Sequence, residues 1–423
     1  MFRGEPIALW TLFLGFISFI FVQLFGLIIT NTIDSEALLP LQAHFYLAYF
    51  GWMGFTILGA QLQFFRAITG LRKYTPQFLR YIYHFTLILG LLLMVHGSYE
   101  RQSSEVSTGL VLFLLGVVIH TYWLIKQSGS KYFKFPLDYM FVSNLFLIIS
   151  LILLLLNNLE DKYHLVELSS IRHMLSVGWI SLTLQGALVR ILPMFVGKNI
   201  DRNSRIYLRH HFIYSSLTSA LFVISFVAEY EPAIIVTGFL WFLSWIWTLI
   251  ILKKSIVRKN LDYKQTLLFF IPGMIWFILG VFLGFYISVQ DNLNINTNFR
   301  ALHIHMSLLL GITLIMLGAF HRITTFQIYT LLYTGKRDTS ITLRYLLRLK
   351  WFAISAISFN ISVVYMAYGF IDNNFEHVGF GGILILISTG LYSTIIIRNF
   401  IHYIKNKKTA IPFWLKSTEY SQE

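Results

Sequence analysis

Apolar runs of about 20 residues recur from one end of this chain to the other, and each is long enough to cross a hydrocarbon core roughly 30 Å thick. Charged breaks divide them into twelve expected transmembrane helices, near residues 7–30, 42–65, 79–98, 108–126, 137–157, 170–196, 210–228, 233–252, 265–287, 300–320, 345–370 and 378–400. The expected fold is an all-α polytopic membrane protein with one membrane domain over 1–423, because no run is left over for a soluble one. With 56% hydrophobic and only 12% charged residues, against roughly 25% charged in soluble domains, a water-soluble fold could not cover this apolar surface. The first run, Ile7 to Ile29, is too long for a signal-peptide core and has no small-residue cleavage site before Asn31, so it counts as a span. Cysteine is absent, which excludes disulfides, thiolate metal sites, iron–sulfur clusters and thiol catalysis. Any metal must be held by nitrogen or oxygen.

The breaks alternate in charge. Basic residues follow the even-numbered spans: Arg66, Arg72, Lys73 and Arg80 after the second, Lys198, Arg202, Arg205 and Arg209 after the sixth, Lys253, Lys254, Arg258, Lys259 and Lys264 after the eighth. The other breaks are acidic, as in Asp34 and Glu36, Glu100 and Glu105, and Asp372 and Glu376. Retention of Lys and Arg on the cytoplasmic side places both termini inside. The formal charge of +14 is thereby explained without nucleic acid.

An internal repeat runs through spans 2, 6 and 10. Each carries histidine near its start, then a glycine (Gly51, Gly178, Gly311), then a Gly-Ala pair led by Gly59, Gly186 and Gly318. The leading glycines succeed one another at 127 and 132 residues, the length of a four-helix unit. His44 and His303 each lie 15 residues before their Gly-Ala glycine, and His173 and His305 lie 13 before theirs. Spans 3, 7 and 11 also open alike, with RYIYHF at Arg80, RHHF at Arg209 and RLKWF at Arg348. Units of about 1–130, 131–260 and 261–423 imply a pseudo-threefold bundle with spans 2, 6 and 10 facing a common interior. The glycines admit close helix packing and would equally leave room for a flat macrocycle.

Histidine in a span tends to face the bundle interior, where it ligates, relays protons or bonds a carbonyl. His303-x-His305, with Gly311 and Gly318-Ala319 after it, resembles the tenth helix of haem-copper oxidase subunit I, and His44 with Gly59-Ala60 is similar to that family's second helix. The resemblance implies that His44 and His305 are the axial ligands of a low-spin haem, and that His303 is the proximal ligand of a second, high-spin haem. Two residues apart on a helix, His303 and His305 point about 200° from each other, so one helix serves a haem on either side. Arg172 and Arg300 are positioned to pair with haem propionates, or to snorkel at the interface. The resemblance further implies a multi-pass protein of a bacterial or archaeal cytoplasmic membrane, an electron donor such as cytochrome c or another electron-transfer subunit, and a small gas ligand, O2 or NO.

His173 corresponds to the family's copper ligand on helix 6, and the run to Pro193 and Lys198 is similar to the C-type oxidases. Helix 7 departs from the pattern: its outer end, FVISFVAEYEP, lacks histidine, and His210-His211 stand at its start, some 25 Å or so from His173 in depth. That pair is expected to be solvated. No Asp or Glu lies mid-span, Asp138 sits at the edge of span 5, Arg190 and Arg322 are expected to snorkel, and His96 and His120 read as structural. Three classes of function follow. One is a haem protein of the superfamily without the three-histidine copper site, akin to the NnrS-like proteins linked to nitric oxide stress. Another is a working oxidase or nitric oxide reductase subunit with an unusual metal site, and a third is a haem-free transporter or channel.

Overall fold

The computed structural model describes residues 6–31, 38–69, 76–128, 137–159, 165–195, 202–256, 264–289, 297–333 and 341–407. All regular structure among them is helical. In chain order the helices are α1 (Pro6–Asn31), α2 (38–69), α3 (Gln77–Tyr99), α4 (Ser103–Ser128), α5 (Leu137–Leu159), α6 (168–195), α7 (Arg202–Val227), α8 (Glu231–Ile256), α9 (Lys264–Val289), α10 (297–333), α11 (Leu349–Ile371) and α12 (Phe375–Asn406). Ten of them are long and apolar enough, by unbroken length and composition, to cross a membrane. The other two, α2 and α6, lie where the second and sixth spans are expected. Large apolar side chains such as Phe78, Phe85, Ile224 and Ile361 are exposed on the outside of the bundle, as a protein immersed in lipid requires.

Helix α10 differs from its expected bounds. The sequence ends that span near residue 320, because His321 and Arg322 look like the start of a polar loop, yet the helix continues to Tyr333. His321 and Arg322 are buried, which corrects the snorkelling expected of Arg322. His321 stacks on Phe352 of α11 with ring centres 4.0 Å apart.

Lipid tails are as apolar as leucine, so helices in a membrane associate through close packing and hydrogen bonds rather than through hydrophobic burial. The repeated glycines supply that closeness. A Cβ at Gly51 would lie 2.8 Å from Ser18 Cβ, and one at Gly59 would lie 3.0 Å from Leu12 of α1. At Gly178 and Gly186 it would come within 2.5 Å of Phe146 and Tyr139 of α5, and at Gly311 and Gly318 within 2.8 and 3.0 Å of Phe277 and Phe269 of α9. All six glycines therefore press against the helix that precedes their own. Of the two roles the sequence offers these positions, close helix packing is the one these contacts show.

Helices α3 and α4, α7 and α8, and α11 and α12 form hairpins closed by a common turn. Arg101, Glu229 and Asn373 adopt positive φ (57°, 52° and 54°) after α3, α7 and α11. In each case the next residue donates its N–H five residues back: Gln102 to Gly97 (2.7 Å), Tyr230 to Ser225 (3.3 Å) and Asn374 to Gly369 (3.0 Å). This is the Schellman helix ending, here built without the glycine usually found at its left-handed position.

Replacing Gly186 with valine forces α5 and α6 apart at Tyr139. Overpacking of this kind costs about 1–3 kcal/mol, and a lowered thermal transition of the detergent-solubilised protein is the expected result. An unchanged transition would show that the contact is not needed.

Candidate functional site

Helices α2, α6 and α10 share a feature found in no other helix among the described residues. Each begins as an α-helix, passes through a π-helical stretch and returns to α: the stretches are Leu47–Gly54, Met174–Ser181 and His305–Thr313. They enclose Gly51, Gly178 and Gly311, and each lies at or just beyond the histidines. A π turn adds a residue to the turn and is often found at functional sites. The three helices meet. Trp52 Nε1 donates to Thr313 Oγ1 (3.2 Å) between α2 and α10, the Arg172 guanidinium of α6 lies over the Phe45 ring of α2 at 5.6 Å, and the rings of His173 and His303 stand 6.5 Å apart.

His303 and His305 leave α10 on different sides. His303 turns toward α9, where its Nδ1 donates to the Gly280 carbonyl (2.7 Å) and its ring rests on Gly284, so that a Cβ there would lie 2.6 Å from the imidazole. His305 donates from Nδ1 to its own-helix Ala301 carbonyl (2.8 Å), lies 5.1 Å from the Phe370 ring of α11, and is close enough to His44 to couple electrostatically. His44 leans on α1 at Gly26, where a Cβ would come within 3.3 Å of its ring. Nearby, α12 passes α1 at Gly379 and Gly382, whose Cβ positions meet nothing closer than 3.6 Å.

The His303 side opens on a cavity of about 480 Å³ between α6, α7, α8, α9 and α10. His173, His303, Arg172 and Arg300 all line it, together with Tyr49 of α2 and Ser307. The volume falls in the range of small-molecule sites, about 300–1,000 Å³. His173 donates from Nδ1 to the Ser169 carbonyl (2.8 Å) and stacks on Phe226 of α7 at 3.7 Å. His173, His303 and His305 thus share one arrangement, in which Nδ1–H is committed to a backbone carbonyl and Nε2 keeps its lone pair. Metal-ligating histidines are oriented in the same way.

The α7 face toward His173 carries Phe222 and Phe226, and no group of three His, Cys, Asp or Glu side chains able to hold a metal occurs among the described residues. Phe222, Phe226 and Gly284 are cavity residues that sequence reasoning did not identify; the apolar i, i+4 pair in helix 7 was the available signal. His96 pairs with Glu105 at 2.7 Å on the surface, away from His173. His120 is buried against Gln61 Oε1 (3.0 Å), within a network joining Gln61 to Asn144 (2.9 Å) and Asn144 to Thr121 (3.2 Å).

The expectation for His210 and His211 needs correction. His210 is exposed, but His211 is fully buried, bonded through Nδ1 to the Tyr139 hydroxyl (2.5 Å) and through Nε2 to Thr248 Oγ1 (3.0 Å). Adjacent residues on a helix point about 100° apart, so one faces out while the next faces in.

No family model matches the chain, and no curated protein matches it in sequence. In structure it is similar to a haem-copper terminal oxidase dimer solved by cryo-electron microscopy, with a TM-score of 0.59 over 95% of this chain and 83% of that one, at 14% identity. The chain is thus a polytopic helical membrane protein with the fold of a haem-copper terminal oxidase.

Substituting His211 with alanine removes the buried hydrogen bonds that tie Tyr139 of α5 and Thr248 of α8 to α7, at a cost of about 1–3 kcal/mol. Substituting exposed His210 should shift stability by no more than about 0.5 kcal/mol. Equal effects in thermal denaturation would contradict the burial of His211.

Proposed function

We propose that this chain is a haem-binding membrane protein of the haem-copper oxidase superfamily, working in respiratory electron transfer or in nitric oxide or oxygen handling, and lacking the three-histidine copper site. The carrying observation is that α10 offers two imidazoles on different sides, each with Nδ1 committed to a carbonyl, one lying toward Phe370 of α11 and the other facing the cavity. In this reading His44 and His305 hold a haem between them, where α12 is spare of side chains, and His303 holds a second in the cavity. Arg172 and Arg300 lie at the cavity wall, where guanidinium pairs bidentately with carboxylates such as haem propionates. Haem supplies an iron that gains and loses single electrons and, where an axial position is open, binds a diatomic gas.

Copper does not fit in the family's manner. His173 faces phenyl rings and another imidazole, and the nitrogen donors a copper ion requires are missing from that face of α7. Dinuclear oxygen reduction is therefore not part of the proposal. The repeated π stretches, glycine contacts and Schellman turns support three pseudo-threefold four-helix units, and the charge alternation supports cytoplasmic termini. A bacterial or archaeal cytoplasmic membrane, with cytochrome c or another electron-transfer subunit as donor, completes the reading.

The test is a reduced-minus-oxidised optical spectrum with metal analysis on the purified protein. A bis-histidine b-type signal is expected, with little copper. His44→Ala or His305→Ala should abolish the low-spin signal, while His210→Ala leaves it intact. Stoichiometric copper would favour an oxidase or nitric oxide reductase with an unusual metal site, and a colourless, metal-free protein would turn attention to transport. Gly284→Val, which drives a side chain into the His303 ring, should lower the haem content on the cavity side and spare the His44–His305 signal; equal loss of both would argue against two separate sites.

A further inference from the structure

We propose that His173 is the sixth ligand of the haem held by His303, so that the cavity haem is clamped by two imidazoles rather than left open on one face. The inference rests on the reading of a haem at His303 and departs from the high-spin centre that the family resemblance implies.

Three observations carry it. The His173 and His303 rings are nearly parallel, 22° between planes, with centres 6.5 Å apart. Two imidazoles that bind one metal from opposite sides through metal–nitrogen bonds of about 2.0 Å bring their ring centres to roughly 6 Å. A copper ion and a haem could not both be inserted between rings this close. Next, both rings commit Nδ1 to a carbonyl, His173 to Ser169 and His303 to Gly280, and both line the same cavity, which leaves each Nε2 as the free donor there. Finally, His173 is held from behind: Phe226 stacks on it at 3.7 Å and 15°, and Phe222 approaches it edge-on at 6.0 Å. A side chain braced in this way is positioned to stay in place as a ligand. The face of α7 toward His173 is thus occupied by the rings that brace it.

Such a centre carries electrons with little rearrangement, because two axial imidazoles leave no open position. With haem held there, a gas would have to displace His173, which would make its binding slow.

The experiment uses the full-length purified protein, with electron paramagnetic resonance of the ferric state and carbon monoxide binding to the reduced state. The wild-type protein should show two low-spin ferric signals, no high-spin signal, and slow, partial carbon monoxide binding. His173→Ala should convert the cavity haem alone to a high-spin form that binds carbon monoxide rapidly, with the His44–His305 signal unchanged as an internal report of folding. His173→Met should keep the haem six-coordinate and raise its midpoint potential, as a thioether ligand does. If His173→Ala loses both signals, the wild-type spectra and His173→Met decide. A wild-type protein with one low-spin and one high-spin haem, unaltered by either substitution, overturns this inference and leaves the haem reading standing. A protein without haem overturns both.

Discussion

Helices in a bilayer gain nothing from hiding apolar surface from one another, since lipid offers the same surroundings, and what this bundle depends on is close packing against bare glycine positions. The six glycines of α2, α6 and α10 set that approach, each against the preceding helix, with would-be Cβ contacts of 2.5 to 3.0 Å. Because two glycines recur about two turns apart in each, eight residues in α2 and α6 and seven in α10, each of the three helices packs on its neighbour at similar depth. The histidines near their starts are thereby brought to a common level. The Trp52–Thr313 hydrogen bond and the Arg172–Phe45 contact then fasten these helices to one another.

Some of the polar side chains inside the bundle are bonded into groups that join helices. Gln61, Asn144, Thr121 and His120 satisfy one another between α2, α4 and α5, and His211 joins α5, α7 and α8 through Tyr139 and Thr248. In a medium without water an unpaired polar group is costly, so these networks fix which helix faces look inward. The cavity differs: its histidines have one nitrogen tied to a carbonyl and the other left over, surrounded by phenyl and aliphatic walls.

Much of this was legible in the sequence, and the reasons differ by feature. Hydropathy marked the helices because each apolar run is bounded by charge. The separation of His303 from His305 across α10 follows from helical geometry alone, and the spacings to the Gly-Ala glycines, 15 for His44 and His303 and 13 for His173 and His305, mark the four as a set. The end of α10 was missed because His321 and Arg322 carry polar atoms that the fold buries, and a charge count cannot distinguish a loop arginine from a packed one. His211 was grouped with His210 because sequence adjacency says nothing about which of two neighbours faces inward. The π stretches had no signature, since the residues of an α turn and a π turn are the same kinds.

Those π stretches bear on how such a molecule changes over time. Each stretch of eight or nine residues is wound with more residues per turn than an α-helix, lies at or just beyond a histidine and encloses the first of the two glycines. Gaining or losing one residue there would rotate the histidine by about 100° about the helix axis while the anchored half and every loop stay as they are. A lineage built on this scaffold could thus re-aim an imidazole from one chamber to another in one mutational event, without rebuilding the walls.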